Sequence, residues 1–187
     1  DTVWKMLGHD HREICSFSYD GKQVALKSGW GSVSVYDLLT GETVAAVDVS
    51  DKHGIQGMCL SPDGKTLAYA VRKRPIIEIH DIATGRSCVR LAGHNLVIRR
   101  LYFSPDGERL VSTGIGSEQI LLWDTTEWRQ VASFDPTPGF AMAHALFLPS
   151  GDGLVIRETA LGNASHQFRC LMASPSPLIN KHEEKRR

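Results

Sequence analysis

The sequence predicts an all-β protein built from repeated units of four short antiparallel strands. Asp-Gly pairs recur at positions 20–21, 63–64 and 106–107, at intervals of 43 residues. Short apolar runs precede and follow each pair, and Asp-Gly between two such runs is typical of a tight turn joining two strands. A period of this length is expected when each repeat forms one four-stranded sheet.

The clearest copy of the repeat spans Leu91–Phe134. It holds a Gly-His pair at 93–94, a Ser-Pro-Asp-Gly turn at 104–107 and a Trp-Asp pair at 123–124, separated by apolar runs of strand length. This combination resembles a blade of the WD-repeat (WD40) β-propeller family. The resemblance covers about residues 2–159. It implies about three full blades and a partial fourth, with degenerate repeats, in an incomplete propeller that is a fragment of a longer array.

The blade boundaries follow from the spacing of these landmarks. We expect blades at residues 13–49, 55–91, 98–134 and 142–172, within a propeller segment at 2–172. Residues 2–7 precede a Gly-His pair as a last strand would, so they belong to a preceding blade or close the last blade into a small ring. Residues 173–187 begin with Ser-Pro repeats and end in charges, which predicts a disordered tail.

The resemblance also implies a hydrogen-bonded set in each blade, formed by a His, a Ser or Thr, a Trp and an Asp. A buried indole N–H and a buried imidazole both need such partners. The third copy supplies His94, Ser112 and Trp123, but it has no Asp in the turn at 114–119. Glu118 is the only acid there.

The other copies depart further from this pattern. Tyr69 and His80 replace the hydroxyl residue and the Trp of the second copy, and Arg74 lies near its acid position. In the first copy a Leu, a Tyr and a Trp stand at positions 26, 36 and 30. We therefore expect no complete set, and a greater dependence on apolar packing. The residues of the structural blade signature are His9, Asp37, Asp81, His94, Ser112, Trp123 and Asp124.

The composition argues against several functional classes. Basic and acidic residues both number 21, whereas a nucleic-acid-binding domain is usually basic. No apolar run approaches the length of a membrane span, and no secretory signal opens the chain. The cysteines have neither metal spacing nor close pairing, so we expect reduced, buried or half-buried thiols in an intracellular, cytoplasmic protein. These cysteines are Cys15, Cys59, Cys88 and Cys170.

The motifs predict no catalytic, cofactor-binding or metal-binding site. The only close histidine pair is His9-Asp10-His11, and a His-x-His without a third ligand is a weak metal signal. Neither a glycine-rich phosphate loop nor a nucleophile elbow occurs. We interpret the chain as a non-enzyme, and a propeller enzyme is the least favoured alternative.

The resemblance implies that loops on one face of the propeller receive a protein or peptide partner. Residues expected on this face are Trp30, Arg72, Lys73, Arg74 and Ile115. An exposed Trp beside a basic triplet would suit an acidic or phosphorylated peptide, although a solvated turn explains the triplet equally well. Arg99 and Arg100 are interpreted as a blade edge. Missing blades or self-association would cover open flanks, and the alternative function is the sensor portion of a larger kinase or NTPase.

Overall fold

The computed structural model describes residues 15–28, 31–49, 54–116, 118–162 and 165–172. The first sheet contains β1 (Cys15–Phe17), β2 (Gln23–Ser28), β3 (Ser32–Asp37) and β4 (Thr43–Asp48). The second contains β5 (Ile55–Leu60), β6 (Thr66–Val71), β7 (Ile76–Asp81) and β8 (Ser87–Ala92). The third contains β9 (Ile98–Phe103), β10 (Arg109–Gly114), β11 (Ile120–Asp124) and β12 (Arg129–Phe134). The fourth contains β13 (Phe140–Phe147), β14 (Gly153–Ala160) and β15 (His166–Met172).

Each sheet is an antiparallel meander in which strand order follows chain order. The first strand of each sheet contacts the first strand of the next, so β1, β5, β9 and β13 form the inner side of the array. Three sheets have four strands and the fourth has three. The predicted fold class, three full blades and a partial fourth, is confirmed.

The turn between the first two strands of each full sheet explains the 43-residue period. In the second sheet the Ser61 hydroxyl donates to Asp63 Oδ1 at 2.7 Å, and it accepts from the Thr66 amide at 2.9 Å. Gly64 closes the turn with φ 71°, a conformation that only glycine adopts without steric cost. Consecutive turns also meet, because the Asp20 amide donates to the Pro62 carbonyl at 3.3 Å. The repeated turn therefore both closes a hairpin and aligns neighbouring sheets.

The apolar core lies between successive sheets, in three layers. Along each strand, alternate side chains point toward the next sheet, and the side chains between them point toward the previous sheet. Val33 and Val35 pack toward the second sheet, Ala68 and Ile79 toward the third, and Val111 toward the fourth. All five are essentially inaccessible to solvent. Burial between sheets is therefore the main source of cohesion.

The cysteine prediction is only partly right. Cys59 is buried, and burial raises the pKa of its thiol. Cys15, Cys88 and Cys170 are exposed, so the expectation of buried or half-buried thiols is wrong for these three. Cys88 and Cys170 lie on the outermost strands of their sheets, and Cys15 pairs with Leu26 on the face of the first sheet that points away from the second.

Several predicted features lie outside the described residues. These are the strand at 2–7, His9, the His9-Asp10-His11 pair, Trp30 and the tail at 173–187. Within the described ranges, no helix is long and apolar enough to cross a membrane.

Candidate partner-binding face

One face of the array is formed by the loops that join the second and third strands, together with the loops between sheets. We call it the loop face, and its described segments are 72–75, 93–97, 115–116, 118–119, 135–139, 161–162 and residue 165. Backbone hydrogen bonds tie the hairpin loops of the second, third and fourth sheets to the inter-sheet loop that precedes each sheet. The Ile115 amide donates to Val97 at 3.1 Å, and the Leu161 amide donates to Gly139 at 2.8 Å. These bonds give the loop face a defined backbone shape.

The basic triplet forms the β6–β7 loop on this face. The Arg74 amide donates to the Val71 carbonyl at 3.2 Å, which closes a four-residue turn. Arg72 is half-buried, whereas Lys73 and Arg74 are exposed. Lys73 has φ 65°, in the left-handed region that disfavours residues other than glycine. The turn therefore holds a lysine at its tip at some conformational cost.

Ile115 is the apolar member of the predicted set and opens the β10–β11 loop. Its side chain is 39% exposed. The structure thus places the triplet and Ile115 on the same face, in the corresponding loops of two successive sheets. Trp30, the remaining member of the predicted set, lies outside the described ranges.

A buried polar network supports the third sheet below this loop. The Trp123 indole N–H donates to Ser112 Oγ at 2.8 Å, and Ser112 Oγ lies 2.7 Å from His94 Nε2. His94 Nδ1 lies 3.3 Å from Glu118 Oε2, and both side chains are almost fully buried. Glu118 thus takes the place of the Asp that the resemblance implies. The third sheet thus places an acid beside the same histidine, but His94 Nδ1 and Glu118 Oε2 form no hydrogen bond with each other, so the hydrogen-bonded set stays incomplete, as expected.

Glu118 also fixes the loop between the second and third sheets. Its Oε1 accepts from the Leu96 amide at 2.8 Å and from the Asn95 amide. Gly114 makes this position accessible, since a Cβ at residue 114 would overlap the Glu118 carboxylate. Burial lowers the pKa of His94, and the nearby Glu118 opposes this effect. The imidazole therefore stays neutral at physiological pH and serves as a hydrogen-bonding group.

The second sheet uses a different pair at the same positions. Tyr69 OH lies 3.0 Å from His80 Nε2, and the rings are 5.1 Å apart. Tyr69 pairs with Glu78, whose carboxylate accepts from the Ser87 hydroxyl at 3.0 Å and contacts Arg90 Nε at 2.8 Å. Burial lowers the pKa of His80, although Glu78 acts in the opposite direction. Tyr69 and His80 thus take the positions that Ser112 and Trp123 hold in the third sheet. The hydroxyl residue is larger in the second sheet, and the ring is smaller.

The fourth sheet contains a buried acid that the sequence analysis missed. Glu158 is inaccessible to solvent. It accepts from the Thr137 amide and hydroxyl, both at 2.8 Å, from Gln167 at 2.8 Å and from Arg169 at 3.1 Å. Burial alone would raise the pKa of Glu158, but these hydrogen bonds lower it below its usual value. Thr137 stands 43 residues after His94, so the repeat period could have identified it.

The signature aspartates lie on the opposite face, in the turns after the third strands. Asp37 Oδ1 accepts from the Leu39 and Thr40 amides, both at 2.8 Å. Asp81 and Asp124 accept from their own turns in the same manner. Hydrogen bonds from Thr40 lower the pKa of Asp37, and those from Thr84 lower the pKa of Asp81. These acids are structural turn residues.

The described residues offer no built chemical centre beyond these networks. Within them, no group of three His, Cys, Asp or Glu side chains is arranged to hold a metal ion. Met58, Leu60 and Leu101 on the inner strands are buried, and Phe103 is half-buried.

Comparisons with known proteins agree with this architecture. The family model described as "WD domain, G-beta repeat" matches residues 85–124. An uncharacterized WD repeat-containing protein of Synechocystis sp. is 25% identical over 136 residues, covering 73% of this chain and 38% of the relative. A WD repeat-containing protein of Schistosoma mansoni is 30% identical over 116 residues, covering 62% and 37%. The chain thus spans about two fifths of the length of these relatives.

The solved structures give the same result for the fold. Hydrazine synthase of Kuenenia stuttgartiensis superposes with a TM-score of 0.64 at 21% identity, covering 80% of this chain and 44% of that chain. A likeness at this identity concerns the fold alone.

Proposed function

We propose that this chain, which belongs to the WD-repeat family, is a non-catalytic scaffold that binds a protein or peptide through its loop face. Proteins of this family generally act as interaction scaffolds, and this supports the class of function. The main support for the proposal is the conformation of the residue at the tip of the β6–β7 loop. An exposed lysine is held there in a left-handed conformation, on the same face as the exposed Ile115.

The chemistry of the loop face suits a partner segment with acidic or phosphorylated residues. Lys73 is exposed and forms no ion pair with a described acid, so it can contribute a charge contact. Ile115 supplies apolar area on the same face. Backbone strain at an exposed residue supports a role in binding, because packing alone gives no reason to keep it.

A peptide-binding assay tests the proposal. A panel of peptides, either acidic, phosphorylated, basic or neutral, is titrated against the chain and followed by fluorescence anisotropy. We expect acidic or phosphorylated members to bind, and the combined change Lys73→Gly and Ile115→Ser to weaken that binding by about tenfold or more. The matched control changes two residues of the opposite face, Lys65→Gly and Leu39→Ser. Equal effects of the two double variants would contradict the proposal.

The outer flanks of the array form a second part of the proposal. The faces of β14 and β15 that carry Val155 and Cys170 point away from the third sheet, which packs on Leu154 and Ile156. Phe168 and Met172 are 69% and 57% exposed on β15. We propose that further blades cover these apolar flanks, as the greater length of the relatives suggests.

The solution mass of this chain tests the flank proposal. If the flanks need cover, the isolated chain will associate in a concentration-dependent manner, as measured by size exclusion with light scattering. Replacing Phe168 and Met172 with Ser will reduce that association. A compact monomer at all concentrations would support a small closed ring instead.

The alternative function is the sensor portion of a larger multidomain protein, such as a kinase or NTPase. The open reading frame decides between the two, because an effector domain would have to be encoded beside this segment. An intracellular, cytoplasmic location also belongs to the proposal. It rests on four cysteines without disulfides, three of them exposed, which suits a reducing compartment.

A further inference from the structure

Three successive sheets place equivalent residues in a row on the loop face. In each of these sheets, the residue that follows the second strand donates its amide to the loop that precedes the sheet. The bonds run from Arg72 to Gly54, from Ile115 to Val97 and from Leu161 to Gly139, at 2.9, 3.1 and 2.8 Å. The shared bond shows that Arg72, Ile115 and Leu161 occupy the same position in the second, third and fourth sheets. We call these three residues the loop-face row.

The chemistry of the surface changes along this row. Arg72 is half-buried and is followed by the exposed Lys73. Ile115 and Leu161 are 39% and 64% exposed. Leu96, which is 48% exposed, directly precedes the residue whose carbonyl accepts from the Ile115 amide. The loop face is therefore basic over the second sheet and apolar over the third and fourth sheets.

Hydrogen bonds between two loops hold the apolar part of the surface over the third sheet. One is the bond from the Ile115 amide to the Val97 carbonyl. Two more come from the amides of Asn95 and Leu96, which both donate to Glu118 Oε1. The Glu118 side chain is itself almost fully buried. Leu96 and Ile115 are thus presented by one connected frame, so the backbone loses little conformational entropy when a partner side chain packs against them.

The charges on the loop face favour one position for an acidic residue of a partner. Lys73 is exposed and forms no ion pair with a described acid, so its ammonium group can receive a carboxylate. Asp135 is an exposed acid in the loop between the third and fourth sheets, and its Oδ1 accepts from Gln119 Nε2 at 2.6 Å. A neutral amide leaves the negative charge of Asp135 in place, and this charge would repel a second acid. An acidic residue of the partner is therefore favoured over the second sheet.

We propose that the loop face binds an extended chain segment with an acidic residue at one end and apolar side chains at the other. This inference rests on the proposed function and adds the order of the chemistry. The acidic residue lies against Lys73, and the apolar side chains lie against Leu96 and Ile115 and continue toward Leu161. Covering exposed aliphatic surface is favourable, whereas a single ion pair at the surface contributes little. The apolar contact therefore supplies most of the affinity, and the charge sets the direction of the segment.

Fluorescence anisotropy with labelled peptides tests this order. The parent peptide carries a glutamate, a glycine–serine spacer and two leucines, and it is made with spacers of graded length and in both chain directions. We expect Leu96→Ser with Ile115→Ser to weaken its binding by about tenfold or more. The same double variant should no longer distinguish the parent from a peptide with alanines in place of the leucines. The matched control, Leu39→Ser with Val44→Ser, removes two exposed aliphatic side chains of the first sheet and should change the affinity less than about twofold.

A spin label on the peptide locates its two ends on the unaltered chain. A nitroxide at the glutamate end should broaden the amide signal of Lys73 more than that of Leu161 in a nuclear magnetic resonance spectrum. A nitroxide at the leucine end should have the opposite effect. Equal broadening of the two signals by both labels would overturn the proposed order.

The outcomes separate this inference from the proposed function. Acidic peptides may bind while the change from leucine to alanine costs the same in the unaltered chain and in Leu96→Ser with Ile115→Ser. The order is then wrong, and binding of acidic segments through the loop face stands. If no acidic or phosphorylated peptide binds, the proposed function fails, and this inference fails with it.

Discussion

Removal of the Glu118 carboxylate tests the network that joins the loop face to the third sheet. In Glu118→Ala the amides of Asn95 and Leu96 lose their acceptor, and the buried His94 loses the contact at 3.3 Å. A hydrogen bond to a charged group contributes about 1.5–3 kcal/mol. The two amides belong to exposed residues and can bond to water instead, so the lower part of the range applies. We expect the free energy of unfolding to fall by about 2–4 kcal/mol.

A double-mutant cycle makes this prediction more specific. Gly114 leaves room for the Glu118 carboxylate, so Gly114→Ala should destabilise the chain by displacing that side chain. Once Glu118 is replaced by Ala, the same change should cost little. We therefore expect the double variant to be about as stable as Glu118→Ala alone, with a coupling energy of about 1 kcal/mol or more.

Urea unfolding followed by circular dichroism measures all of these variants. Glu127→Ala is the control: the exposed Glu127 carboxylate forms an ion pair with Arg129 at the surface, and its removal should leave stability nearly unchanged. Additive effects of the changes at residues 114 and 118, or a loss below about 0.5 kcal/mol for Glu118→Ala, would refute the bracing role of this acid.

Three other outcomes are expected. Trp123→Ala should lower the free energy of unfolding in urea by about 3–5 kcal/mol, because a buried indole and its hydrogen bond to Ser112 are lost. A loss below about 1 kcal/mol would contradict the packing of the third sheet. The melting temperature should fall between pH 7 and pH 5. The folded-state pKa values of His80 and His94 lie below 6.5, so the stability that the two neutral imidazoles contribute is complete above pH 6.5 and is lost as the pH falls through the folded-state pKa values. Replacing His80 with Gln should reduce this pH dependence. The double variant Tyr69→Ser with His80→Trp should lose less free energy of unfolding than the two single variants lose together, by about 1 kcal/mol or more. Additive losses would contradict the idea that the larger hydroxyl residue and the smaller ring compensate each other in volume.

The architecture could be predicted from the sequence because the turns between strands contain recognisable residues at fixed positions. A Ser-x-Asp-Gly turn needs particular residues at fixed positions, so it remains readable when the rest of the repeat has diverged. Strand alternation then assigns the buried rows, as Val33, Val35 and Val111 illustrate. The exposed Cys88 and Cys170 were misjudged because alternation predicts faces but not whether another sheet covers them.

The polar networks were harder to predict because they depend on side-chain reach. Glu118 was noticed, but its role required the distance across the loop to His94 and the space left by Gly114. Tyr69 and His80 were placed at the right positions, yet their contact depends on two rotamers as well as on register. Glu158 was missed because no landmark of the repeat surrounds it. Its partner Thr137 is visible only through the period.

The four sheets show that loop-face geometry can persist while the signature residues change. In the third sheet Glu118 holds the inter-sheet loop through the Asn95 and Leu96 amides. In the fourth sheet Glu158, which lies on strand β14 and not in a loop, holds the corresponding loop through Thr137. Both acid side chains are buried, and both carboxylates accept hydrogen bonds from the loop, so two different residues hold the loop in place in the two sheets. Selection on such a face would act on the position of its loops, and a binding surface could therefore be kept even where the repeat motif has been lost.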